Sequence, residues 1–504
     1  MAQRACEGLD PELLQHIREC PCPCDHMGYG NFLDYQQIPP CPRYPSRETI
    51  FNTVPQPPTR RDHYYHDVIR NDHFYYPYEY DSCSCSTTSD SSRNNFRGPW
   101  CVCLMVCVVI ATLTAGLGLP LALSPNDLKE FSQEERLELV KKLLKDTPLI
   151  DGHNDLPWNL RKFEHNFLNK LNLTKIKSQP PWSTSKWSHT DLPRLKAGGV
   201  GAQFWSAYVP CQSQYKDAVQ ITLEQIDAIG RFVQKEPLTL EMARTADEIT
   251  QVHKRGKIAS LIGVEGGHAL GNSLAVLRTF YNLGARYLTI THSCDTAWAT
   301  GQDTITRDGL SDFGKIVVKE MNRLGMIVDL SHSSVYTAKS AINVSSAPVI
   351  FSHSAAYSLC NSSRNVPDDI LKMVARNGGV VMVNFYSYHV ACNVNASMSD
   401  VIKHINHIRK VAGIEHVGIG AGYDGINVTP SRLNDVSRYP YLFAELLADP
   451  GWSQQDILAL AGLNFLRVFH RVEEIRDEWK KMDLPPFEDL GPRRDLPECI
   501  SKNS

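Results

Sequence analysis

The sequence predicts an α/β fold: a (β/α)₈ barrel of the TIM type, preceded by one transmembrane helix and a disordered N-terminal tail. Three observations carry this. Eight short β-rich runs alternate with amphipathic helical stretches along the C-terminal part of the chain. Histidines and carboxylates recur at the ends of those runs. An uncharged segment, residues 100–123, divides this part from a beginning broken by Pro, Ser and Cys.

Residues 1–98 come first and are expected to be a disordered cytosolic tail. No helical or strand period survives stretches such as "CPCPCDHMGYG" and "DSCSCSTTSDSSRNN". Such a segment cannot bury enough apolar surface to offset its chain entropy. Residues 99–123 follow, with "WCVCLMVCVVIATLTAGLGLPLAL" at their heart. About 20 apolar residues suffice to cross a bilayer. Arg93 and Arg97 precede the segment and Asp127 follows it. The positive-inside rule therefore keeps the N-terminus cytosolic, giving a single-pass type II plasma-membrane protein with its larger part outside. All five N-x-S/T acceptors, at Asn172, Asn343, Asn361, Asn395 and Asn427, lie on the outer side. They are expected glycosylation sites. Five of the fifteen cysteines also lie outside: Cys211, Cys294, Cys360, Cys392 and Cys499. An oxidising compartment favours pairing, and an odd number leaves one over. Cys499 is the natural spare for an interchain bridge between two copies.

The barrel is expected over 124–480, with a tail at 481–504. Its strands are read in "TPLIDGHND", "GVGAQFWSAYV", "IASLIGVEGG", "ARYLTITHS", "GMIVDLSHS", "APVIFSHSA", "GGVVMVNFY" and "HVGIGAGYD". Continuous apolar strands alternating with helices indicate a parallel sheet covered on both faces. Eight such units suggest a closed barrel, with a doubly wound open sheet as the structural alternative. The formal net charge of −3 gives no electrostatic footprint for nucleic acid.

His153 and Asp155 end the first run, Glu265 the third, His292 the fourth, His332 the fifth and His353 the sixth. On a continuing strand, residues i and i+2 share a face, which would put His153 beside Asp155. In a barrel these ends converge on one face. Carboxylates buried together without a cation would be costly. A metal centre is therefore expected, with imidazole and carboxylate ligands favouring zinc over manganese, cobalt or iron. Five ligands exceed the three usual for one catalytic zinc. Glu265, central in strand order, is the expected bridge between two ions.

The motifs "DGHNDLPW", "LIGVEGGHAL", "RYLTITHSCDTAW" and "APVIFSHSAAYSLCNSSRNVPDD" closely resemble the membrane dipeptidase (renal dipeptidase) family, in the metallo-dependent hydrolase superfamily. The resemblance runs from about residue 130 to about 475. It implies a barrel with two zinc ions per subunit that hydrolyses dipeptides. It assigns His153 and Asp155 to one ion, His332 and His353 to the other, and Glu265 to both. It implies that His292 stabilises the carbonyl oxygen and Arg364 holds the substrate carboxylate. It also implies the disulfides Cys211–Cys294 and Cys360–Cys392, and a disulfide-linked homodimer through Cys499. One position departs. The family ends its eighth strand with G-x-D-[FY]-D-G, and here the stretch is "GAGYDG". Gly422 replaces the first Asp, the one that contacts the substrate amino group and moves a proton. Asp424 fills the second, and on a strand it would share the face of Gly422. Two functional classes follow: an active ectoenzyme, or a metal-containing ectodomain that binds without efficient turnover.

Overall fold

The computed structural model describes residues 130–489 and 491–492. The expected cytosolic tail, the anchor at 99–123 and Cys499 lie outside the described residues. Among the described residues, no helix is long and apolar enough to cross a membrane.

Nine strands form one all-parallel sheet: β1 (Leu149–Asn154), β2 (Val200–Tyr208), β3 (Leu240–Met242), β4 (Ile258–Glu265), β5 (Ala285–Thr289), β6 (Ile327–Asp329), β7 (Ile350–Ser354), β8 (Val380–Val383) and β9 (Val417–Ile419). Eight of them close a ring. β1 meets β9 at Asp151 and Ile419, and β2 pairs with β4 from Ala202/Ala259 to Tyr208/Glu265. That last pairing excludes an open doubly wound sheet. β3 stands outside the ring along the first residues of β4, with Leu240 opposite Ile258. It lies outside the eight runs read as strands from the sequence.

Predominantly apolar strands are buried on both faces, and β4 (IASLIGVE) is buried throughout, Ser260 and Glu265 included. Phe204 of β2 stacks on Tyr287 of β5 with centroids 4.9 Å apart. These two strands are not neighbours, so both rings lie inside the barrel. Helices fill the connections and are punctuated as their sequences demand. Ser311 caps Asp312–Leu324 by accepting from the Gly314 N–H, and the helix stops at Gly325, whose φ of 77° suits a residue without Cβ. β6 begins two residues later, at Ile327. Both expected disulfides are present, Cys211–Cys294 and Cys360–Cys392.

Candidate metal centre

The carboxyl ends of the strands deliver the site. β1 carries His153, but it stops at Asn154. Asp155 is the N-cap of the helix Leu156–Glu164, so the shared-strand-face reading of the pair is wrong in detail. The turn nonetheless brings Asp155 Oδ2 to 3.3 Å from His153 Nε2. β4 ends on Glu265 and β7 contains His353. His292 and His332 lie three residues beyond the ends of β5 and β6 rather than on them. His332 has φ 66°, a left-handed turn that folds its ring back over the barrel mouth.

Glu265 sits at the centre and splits its two oxygens. Oε2 lies 3.4 Å from His153 Nε2, while Oε1 lies 3.1 Å from His332 Nε2 and 3.5 Å from His353 Nε2. His332 Nε2 and His353 Nε2 are 3.0 Å apart. Donor atoms on one tetrahedral ion with 2.0–2.1 Å bonds lie about 3.3 Å from each other. These spacings fit two such sets joined by one carboxylate. His292 Nε2 is farther, 3.8 Å from Oε1. By proximity alone the groups also divide as His153/Glu265/His353 and Glu265/His292/His332, a different partition from the one expected. A third cluster, Cys211/His268/Cys294, is not a metal site, because its cysteines are joined to each other.

Second neighbours fix which nitrogen faces the cluster. The Tyr287 hydroxyl donates to the Gly152 carbonyl, so its oxygen accepts from His153 Nδ1 at 3.0 Å. Ser352 donates its hydroxyl to Asp329, so it accepts from His353 Nδ1 at 2.8 Å. Both Nε2 atoms then present a bare lone pair to carboxylates that also only accept. Such a face is complete only with a cation or protons. Burial opposes charge on His153, but Glu265 and Asp155 outweigh it and hold its pKa well above the ordinary value. Glu265 is pushed well below its ordinary value, the reverse of what its burial alone would do, chiefly by His153. Burial depresses His332 and His353.

Sequence reasoning missed the groups that hold these side chains in place. Asp151 accepts from the N–H groups of His153 and Ala421 and from the Tyr439 hydroxyl. Asp329 accepts from Thr289, Ser331 and both donors of Ser352. Burial raises both carboxyls, Asp151 to about 6. Ser206 donates to Glu265 Oε2 at 3.0 Å. A signal existed: an aspartate stands two residues before His153 and three before His332.

Beside the cluster, burial lowers His292 to about 4, leaving a neutral imidazole. Arg364 is buried and, among the described residues, has no carboxylate partner in hydrogen-bond contact. It donates to Ser354 Oγ and to the His353 carbonyl, and burial lowers it to about 10. The eighth-strand expectation needs correction. β9 stops at Ile419, and Gly422 (φ 74°) and Asp424 (φ 66°) both lie in a turn, so they do not share a strand face. Gly422 is buried and donates its N–H to the His153 carbonyl, yet a Cβ there would meet nothing within 4 Å. It borders open space beside His153. Asp424 is pinned through its backbone: its N–H donates to His189 Nδ1 and its carbonyl accepts from Asn159.

Residues 137–483 match the model of the membrane dipeptidase family (peptidase family M19). This chain belongs to the membrane dipeptidase family. It is 47% identical over 358 residues to "Dipeptidase 3" of Mus musculus, covering 70% of this chain and 69% of that protein. The same identity holds against "Dipeptidase 3" of Rattus norvegicus. Among solved structures, a metallopeptidase described as dipeptidase AC of family M19 superposes with TM-score 0.58 at 27% identity, covering 65% of this chain and 99% of its own. A Rhodobacter sphaeroides metallopeptidase bound to a phosphinate mimic of the dipeptide L-Ala-D-Ala superposes with TM-score 0.57 at 27% identity, covering 65% and 100%. The fold is thus that of metallo-dipeptidases, a hydrolase family that depends on metal ions.

Proposed function

We propose that the barrel mouth is a two-zinc centre that hydrolyses dipeptides. The observation that carries this is Glu265, whose two oxygens face two separate donor sets at tetrahedral spacing. His153 and Asp155 would hold one ion, His332 and His353 the other, and Glu265 both. Zinc in such a pair supplies a hydroxide nucleophile at neutral pH and polarises a carbonyl.

The remaining groups bind and orient. Arg364 offers a buried planar cation that lacks a bonded carboxylate, and the C-terminal carboxylate of a dipeptide fits its fork. His292 donates one N–H to the carbonyl oxygen as negative charge grows there. Its depressed pKa keeps the second nitrogen free to accept, and Ser293 Oγ stands 3.1 Å from Nδ1. Asp424 is the carboxyl left for the substrate amino group and for the proton passed to the leaving nitrogen. Neither of its oxygens has a hydrogen bond of good geometry, with Thr190 alongside, and burial raises it to about 7. That value suits proton exchange at neutral pH.

Gly422 favours a second reading. No side chain occupies the open space beside His153, so proton transfer is poorly supplied and the ectodomain binds more than it turns over. Assay of the purified full-length chain against alanyl and glycyl dipeptides separates the two. Zinc-dependent release of amino acids, lost on chelation and restored by zinc, supports the first. Two bound zinc ions without turnover establish the second.

The wider setting belongs to the same proposal: a type II plasma-membrane protein with an extracellular barrel, dimeric through Cys499. Asn172, Asn343, Asn361, Asn395 and Asn427 are all exposed, as glycan acceptors must be.

A further inference from the structure

The opposite end of the barrel holds a cavity of about 520 Å³ that plays no part in the chemistry above. It lies where strands begin, at Val200 of β2 and Ile258 of β4, whereas the metal centre lies where they end. Its wall carries Lys141, Lys145, Lys196, Lys254, Lys257 and His253, and no aspartate or glutamate. Glu138 neutralises Lys141 at 2.7 Å and Glu241 neutralises Lys257 at 2.9 Å. Lys145, Lys196 and Lys254 have no acidic partner among the described residues.

A simpler account is that these three lysines complement helix ends. Each stands in the last turn of a helix: Gln133–Asp146, Leu192–Ala197 and Ala246–Lys254. Magnitudes decide against that as the whole explanation. A helix C-terminus carries roughly half a negative charge, and short helices carry less. Three full positive charges exceed three such ends. One of the carbonyls is also already satisfied, because His253 Nε2 donates to the Lys145 carbonyl at 3.1 Å. Three separate elements therefore converge net positive charge on one concave surface, a field that concentrates anions.

We propose that this cavity binds an oxyanion of the sulfate or phosphate type, held by Lys145, Lys196 and Lys254. The same chemistry has two sources, a free anion or an anionic lipid headgroup, and the experiment separates them. The purified, zinc-loaded full-length chain in non-ionic detergent is titrated with sodium sulfate by calorimetry, against sodium chloride of equal ionic strength. A parallel titration uses short-chain phosphatidylserine against short-chain phosphatidylcholine. Sulfate should bind, and the triple variant Lys145→Gln/Lys196→Gln/Lys254→Gln should bind it at least roughly tenfold more weakly. Its zinc content should not change, so binding at the metals cannot account for the loss. Phosphatidylserine binding that depends on the same lysines names the headgroup as the source. Sulfate binding alone names the free anion. No sulfate heat beyond the chloride control, or equal binding by the triple variant, overturns the proposal. Should the triple variant misfold, the single variants decide: each should weaken sulfate binding several-fold, and none doing so overturns it.

Discussion

On the proposed mechanism, Gly422 decides how fast the site turns over. An aspartate there would enter open space rather than collide. The left-handed backbone, φ 74°, would cost about 1 kcal/mol, and Asp tolerates that region better than most residues. Gly422→Asp is therefore expected to fold, to keep its zinc and to raise dipeptide kcat/KM. A well-placed acid–base group contributes on the order of 10²–10⁴ in rate. Unchanged kinetics in this variant would mean that the proton already has a carrier. Asp424→Asn then identifies it, since it should abolish the residual rate if Asp424 has taken over the task.

At the scale of the element, the strand ends work because their backbones are locked to one another. Asp151 ties β1 to the segment after β9, and Asp329 ties β6 to β5 and β7. Close backbone packing does the same. A Cβ on Gly420 would lie 1.8 Å from the Ser352 carbonyl oxygen, a contact with backbone that no rotamer relieves. Gly420→Ala should destabilise the fold by about 3 kcal/mol or more, read as a fall in Tm. Removing the Cys360–Cys392 bridge as a double serine variant should cost about 2–4 kcal/mol, again read in thermal melts. The sequence made all eight ring strands legible, because apolar runs bounded by polar ends are a strong local signal. It could not place Asp155, His332 or Asp424 in their turns. A period-2 pattern carries no information about where a strand stops, and φ beyond a strand end depends on tertiary contacts. Asp151 and Asp329 were passed over for a related reason: their partners are backbone N–H groups and hydroxyls, which leave no pattern of their own.

For the whole molecule, the two ends of one barrel carry different electrostatics. Four histidines and two carboxylates crowd the mouth, and the floor is lined by lysines, three of them without an acidic partner among the described residues. The cluster proposed to hold metal was legible because each of its members lies within a strand or just after one, and a barrel brings strand ends together. The cavity at the floor was not, because its lysines come from helices far apart in sequence. Topology and assembly are tested on cells. Antibody should reach the C-terminus of intact cells and not the N-terminus, and the reverse labelling would refute a type II arrangement. Non-reducing electrophoresis should show a covalent dimer that Cys499→Ser removes. A wild-type monomer there would rule out the bridge.

The central claim is that one carboxylate, Glu265, joins two metal ions, and zinc content measures it most directly. Elemental analysis of the purified, zinc-replete chain should give two zinc ions per chain. His332→Ala should lose mainly one of them, and Glu265→Ala should weaken both. Less than one zinc in the wild-type chain, or a Glu265→Ala variant that keeps its full complement, would contradict the account.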